Sequence, residues 1–148
     1  LPQMIVTSRE HPNYNMKIFG YPEWQTYTDD HLASFFELDT YFYSSFYTNN
    51  LFPEAIKFTN AYRKWYSKDM ANTFPKYGML GFDTAFFFLK GLHKYGSNFE
   101  ENMNQMMLTP IQTGFKFERV NNWGGFINRK VFFVNFTKNF ELIKLDFE

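Results

Sequence analysis

The sequence predicts an α/β fold, and three observations carry that prediction. Up to about Met107, short β-prone runs alternate with helical patterns. Two of those patterns, around residues 53–69 and 81–96, hold helical spacing over several turns. From Gly114 onward the chain changes to strand-like runs joined by turn residues. At 148 residues the chain has the length of a single domain and can bury a real core.

Taken in order, LPQMIVTSREHP reads as the tail of a helix that ends near His11-Pro12, because the residue before proline is pushed out of helix. YNMKIFG is a short strand bounded by turn residues. FGYPEWQTY, Phe19 to Tyr27, then places a carboxylate and three aromatics in the loop before the next helix. That helix is TDDHLASFFELD, with Thr28 or Asp29 as its cap and an acidic first turn that suits the dipole. TYFYSSFY is aromatic and β-prone, a second strand.

LFPEAIKFTNAYRKWYSKD is the clearest amphipathic helix. Pro53 suits its first turn, and Ala55, Phe58, Tyr62, Trp65 and Tyr66 share one face. ANTFPKYGM is expected as a loop, broken by Pro75 and Gly78. GFDTAFFFLKGLHKYG is the second strong helix, with Asp83 as cap and Gly96 as stop. Gly91 inside it costs about 1 kcal/mol against alanine, which a close helix–strand contact would explain. NFEENMNQMM reads as a further short helix ending before Pro110. GFKFERV, VFFVNF and NFELIKLDF are strands, joined by NNWGGFINR and TKN, with Lys138-Asn139 as a tight hairpin turn.

Composition excludes several function classes. Fifteen basic and fifteen acidic residues cancel and are scattered, so there is no electrostatic footprint for nucleic acid or an anionic membrane. Without cysteine there is no disulfide framework, thiol nucleophile or thiolate metal site. The longest apolar run, AFFFL, is far below the ~18 residues of a membrane span. The start, LPQM, reads as a mature product, a cloned piece or a fragment. Aromatics reach 23 % of the chain, enough to fill a core from few positions or to leave a surplus for an interface.

The motifs for chemistry are sparse. His11, His31 and His93 have no second ligand at metal spacing on one helix face, so no metal and no cofactor is expected. Ser44-Ser45 lacks a nucleophile elbow and a base. Trp123-Gly124-Gly125 lacks the lysine and the following helix of a phosphate loop. Asn135-Phe136-Thr137 matches the glycosylation triplet but falls inside an expected strand. Glu23, between Pro22 and Trp24, is the ionisable group that stands out. It is either a carboxylate that takes an ammonium group by a charge-assisted hydrogen bond, or a solvated or helix-capping glutamate. Tyr21 and Trp24 are correspondingly cleft walls or a lid on the core.

Read together, FGYPEW, TYFYSSFYTN, FPEAIKFTNAYRKWY, KYGMLGFDTAFFFLKGL and the closing NWGGFINRKVFFVNF resemble the carboxyl-terminal part of type I periplasmic binding proteins, the leucine/isoleucine/valine-binding class of ABC-transporter receptors. The strongest local likeness is the helix pair, with Gly81, Asp83 and Ala85 in place. The aromatic-rich flavour is similar to Bacteroidetes members, some of which carry LysM modules upstream. The resemblance implies part of a three-layer, two-lobe α/β/α fold with a closing β-hairpin: residues 1–40 in lobe two, 41–118 in lobe one and 119–148 crossing back. It implies a non-catalytic receptor fragment, periplasmic or envelope-associated. In that family a carboxylate after this lobe-two strand contacts the ligand's ammonium group, the place of Glu23, with Tyr21 and Trp24 as cleft neighbours.

The partners so implied are a small polar ligand (amino acid, peptide or muropeptide), an ABC permease or peptidoglycan, and no nucleic acid. The family's lobe-one loops would lie upstream of Leu1. Such a piece exposes sheet edges and is expected as a homodimer or swapped oligomer. Two rivals remain at this level. One is a cell-envelope structural or interaction domain that keeps the fold without its ligand. The other is a small α+β enzyme built on His31, Glu23 and Asp29.

Overall fold

The computed structural model describes residues 1–145, save the side chains of Gln25, Thr28 and Asp29. In chain order the elements are α1 (Pro2–Glu10), β1 (Ile18–Gly20), α2 (Thr28–Glu37), β2 (Thr40–Ser44), α3 (Pro53–Tyr66), α4 (Tyr77–Tyr95), α5 (Phe99–Asn102), β3 (Phe117–Arg119), β4 (Phe126–Asn128), β5 (Phe132–Phe136) and β6 (Leu142–Leu145). Short 3₁₀ turns occupy Pro22–Tyr27, Gly96–Asn98 and Met103–Gln105. The fold is mixed α/β with two small sheets. The chain forms two compact units. Unit 1 joins Leu1–Ser44 to Phe132–Glu148, and unit 2 is Ser45–Val131.

Unit 1 is built on a four-stranded sheet in the order β1-β2-β5-β6. β1 and β2 are parallel, with α2 as the connection between them, whereas β5 and β6 add antiparallel strands. The period of two puts Thr40, Phe42 and Ser44 on one face, opposite Phe136, Val134 and Phe132 of β5, and all six are buried. Phe35 of α2 closes this layer, its ring 5.1 Å from Phe42 and 5.7 Å from Phe136. On the other face Phe19 stacks on its register partner Tyr41 at 5.3 Å, and Phe19, Tyr43 and Ile143 are exposed. The expected turn after β5 is present. Phe140 N–H donates to the Thr137 carbonyl at 2.9 Å, and Phe140 takes the left-handed conformation. The end of the expected last strand, residues 146–148, lies outside the described residues.

Unit 2 departs from its sequence pattern in four places. α4 begins at Tyr77, so the last third of the expected loop is helix and Asp83 sits inside the helix rather than at its cap. Gly96, with φ +56°, is the stop, as its position predicts. Gly91 meets α5 and not a strand. A Cβ there would stand 2.0 Å from the Phe99 ring. NNWGGFINR is not a simple joining loop, because it contains β4, which pairs antiparallel with β3 in the register Phe117↔Asn128. On α3, Ala55 is buried, Phe58 reaches Phe82 at 5.1 Å and Tyr62 is half-buried beside Gly78, but the face ends there. Trp65 is 82 % exposed with no ring partner among the described residues, and Tyr66 is exposed beside Tyr62. The apolar centre of the unit is Phe87 with Phe99 and Met103, walled by Phe115, Phe117 and Phe126.

Candidate functional site

The loop that follows β1 is shaped by its glycine. A Cβ on Gly20 would fall 2.2 Å from the Phe42 ring and 2.9 Å from Trp24, so only glycine lets the strand end between those rings. Pro22 then opens the 3₁₀ turn Pro22–Tyr27. Trp24 N–H donates to the Tyr21 carbonyl at 3.0 Å, and Thr26 Oγ1 donates to the Glu23 carbonyl at 2.7 Å. The turn runs straight into α2, whose cap position is Tyr27 with no side-chain cap bond. The expected cap at Thr28 or Asp29 is therefore corrected: both residues lie within the helix, because the preceding turn already supplies helical geometry. Their side chains lie outside the described residues.

The three expected site residues are placed differently from one another. Trp24 is half-buried, nearly coplanar with Phe35 at 6.5 Å and edge-on to Phe42, and so forms part of the unit 1 core. Tyr21 meets Trp24 edge-on at 6.4 Å, but the residue is 65 % exposed. Glu23 is exposed, and among the described residues no hydrogen bond or ion pair engages its carboxylate. The site thus presents a carboxylate and a tyrosine ring at the carboxyl end of a parallel strand, where open α/β sheets place ligands. It can accept charge-assisted hydrogen bonds from an ammonium group. No bond joins His31 to Glu23, and no cluster of three or more acidic or histidine ligands forms among the described residues. Ser44 is buried, as is Asn135 of the glycosylation triplet.

At the other end of β1 and β2, Lys17 forms an ion pair with Asp39 and reaches Tyr41 Oη at 3.5 Å. Asp39 turns the chain from α2 into β2 with φ +50°, a conformation that aspartate tolerates. Burial works against the Asp39 charge. The hydrogen bonds from Lys17 and Asn135, with the charges of Lys17 and Lys138, outweigh it and hold the carboxyl below the usual carboxylate range. The hydrogen bond to Asp39 is the main cause that raises Lys17.

Unit 2 holds a polar hub that sequence reasoning missed. Asp83 is only 3 % exposed. Its Oδ1 accepts from Ile111 N–H at 2.9 Å, and its Oδ2 from Gln112 and Thr113 N–H at 2.7 and 2.8 Å. Gln112 extends the hub. Its Oε1 accepts from Lys76 N–H at 2.9 Å, its Nε2 donates to the Lys76 carbonyl at 3.2 Å, and its own carbonyl accepts from Tyr47 N–H at 3.0 Å. Asp83 thus serves as a cap for a distant loop. The signal in the sequence was an acid inside an apolar helical run, which needs a buried partner. The Asp83 carboxylate and the Gln112 amide are engaged mainly with backbone, so the hub is structural.

Comparison with family models, with curated proteins and with solved structures gives no match for this chain.

Proposed function

We propose that the chain is part of a non-catalytic, extracytoplasmic solute-binding receptor domain of the type I periplasmic-binding class, for an amino acid, a peptide or a cell-wall-derived ligand. The observation that carries this reading is the Glu23 carboxylate, unpartnered among the described residues, beside the exposed Tyr21 at the carboxyl end of β1. The division into a discontinuous unit 1 and a continuous unit 2 supports it too, because a two-lobe receptor leaves one lobe and returns to it. In this reading Glu23 accepts from the ligand's ammonium group and Tyr21 packs against its body. Trp24 holds the loop from below. No helix among the described residues is long and apolar enough to cross a membrane, which is compatible with a periplasmic or envelope-associated place.

A second reading, a cell-envelope interaction domain, draws on the exposed Leu51, Trp65 and Trp123. The outer strands β1 and β6 each pair on one side only among the described strands, so self-association through an edge fits either reading. The test is calorimetry with amino acids, dipeptides and muropeptides on the full natural gene product and its Glu23→Gln variant. The receptor reading expects binding that weakens at least about tenfold in Glu23→Gln, the weight of one charge-assisted bond, with the melting temperature unchanged. Equal binding by both proteins removes Glu23 from the site. Absence of binding across the panel leaves the interaction domain as the reading.

A further inference from the structure

The β3–β4 hairpin of unit 2 carries a second candidate site that owes nothing to the loop after β1. A cavity of about 460 Å³ opens against it, within the size range of small-ligand sites. Lys116, Arg129 and Lys130 line this cavity, with Glu118 as the single acid. Glu118 Oε2 accepts from Arg129 Nε at 3.1 Å, which leaves the terminal nitrogens of that guanidinium to an incoming acceptor. The Lys116 ammonium has no ion pair or hydrogen bond among the described residues.

Like charges gathered this closely repel, and here the fold gains no paired bond from Lys116 in return. Their backbone is nonetheless held firmly. Asn128 Oδ1 accepts from both Lys116 N–H at 2.9 Å and Lys130 N–H at 3.1 Å, while its Nδ2 donates to the Gly114 carbonyl at 2.8 Å. Arg129 N–H donates to the Lys116 carbonyl at 2.7 Å. On the other side of β3, the Asn104 amide bridges both backbone groups of Phe117, at 2.8 and 2.7 Å. Phe115 and Phe117, also in the lining, lie nearly parallel at 6.0 Å, and Phe115 stacks on the core residue Phe87 at 4.3 Å. Cations on a firmly held backbone therefore line the same cavity as an aromatic wall.

The geometry points to a binding site in this cavity for a small organic anion, a carboxylate or phosphate head carried on a flat apolar body. The head meets Lys116 and the free side of Arg129, and the body lies along Phe115 and Phe117. Phenylphosphate is the probe, titrated into the 148-residue chain and followed by the backbone amide shifts of Lys116, Phe117 and Arg129. Saturable shifts are expected, with phenylphosphate binding at least about fivefold more tightly than inorganic phosphate and phenol giving no saturation. Benzoate is expected to compete. Lys116→Met, a change at an exposed side chain, should weaken binding about tenfold. Glu118→Gln, which removes the one acid, should tighten it about threefold. Lys130→Met is the second test of the rim should Lys116→Met fail to fold. The proposal is overturned if phenol and phenylphosphate shift the same amides equally, if no shift saturates, or if these variants bind as the parent does. Glu23→Gln should leave these values unchanged, so the outcome here is separate from that of the receptor reading.

Discussion

In unit 1 the contacts that hold helix to sheet are rings. Phe35, Phe42, Phe136 and Trp24 meet at centroid distances of 5.1–6.5 Å, and the buried face of the sheet is closed by them. In unit 2 the start of α4 and the loop 111–113 are held by a carboxylate and an amide, Asp83 and Gln112, spent mainly on backbone groups. The contrast separates two kinds of tolerance. A ring core loses stability in proportion to the cavity left when one member shrinks, and partial relaxation of its neighbours grades the loss. A polar hub fails at once, because each orphaned donor keeps its full desolvation cost.

Replacement of the hub acid is therefore the strongest way to break the comparison. Asp83→Ala leaves three N–H groups without their acceptor, two of them buried, and should cost at least about 3 kcal/mol at roughly 1–3 kcal/mol each. Asp83→Asn should recover only part of that, since its amide turns a donor toward donors. Hydrogen exchange resolved by residue checks both. Loss of protection should concentrate between Ser45 and Val131, and equal loss in β2 and β5 would mean that both units answer to the hub.

A steric test is smaller. Gly91→Ala drives a methyl into the Phe99 ring and should destabilise by about 1–3 kcal/mol in denaturant unfolding. An unchanged midpoint would show that Phe99 turns aside freely and that the unit 2 centre is softer than its rings suggest.

The smallest effect is electrostatic and belongs to unit 1. Because Asp39 is lowered by Lys17, its contribution is present above the usual carboxylate value, about 3.9, and is lost as the pH falls through its lower folded value. Lys17 is raised, so its contribution is present below about 10.4 and is lost as the pH rises through its higher folded value. Lys17→Met should remove the high-pH dependence, weaken the low-pH one that Asn135 and Lys138 also support, and cost under about 1 kcal/mol at neutral pH, since Lys17 is largely exposed and solvent screens the pair. Thermal melts across pH 2–11 measure this.

What could be read in the sequence follows the same division. β1, α2 and β2 were legible because period, turn residues and β-branched or aromatic content agree locally. α3 and the end of α4 were legible from Pro53 and Gly96, which act through backbone geometry alone. The start of α4 was not. Gly78, Gly81 and Asp83 together read as a loop and a cap, and the partner that draws Asp83 inward lies about thirty residues on. β4 was hidden for a related reason, since three residues after a double glycine carry no period. At the loop after β1, position and residue types singled out Glu23, Tyr21 and Trp24. Only the packing shows that Trp24 belongs to the core while the other two face outward.

The interrupted path of unit 1 also sets an order of assembly during synthesis. β2 leaves the ribosome before unit 2, with Phe42 and Thr40 ready to pair, but its antiparallel neighbour β5 is made only after the whole of unit 2 has emerged. Unit 2, continuous in sequence, can close first, as segments that emerge complete generally do. Until then β1, α2 and β2 hold an aromatic face without its second half. The segment made after unit 2, not the one made before it, completes unit 1.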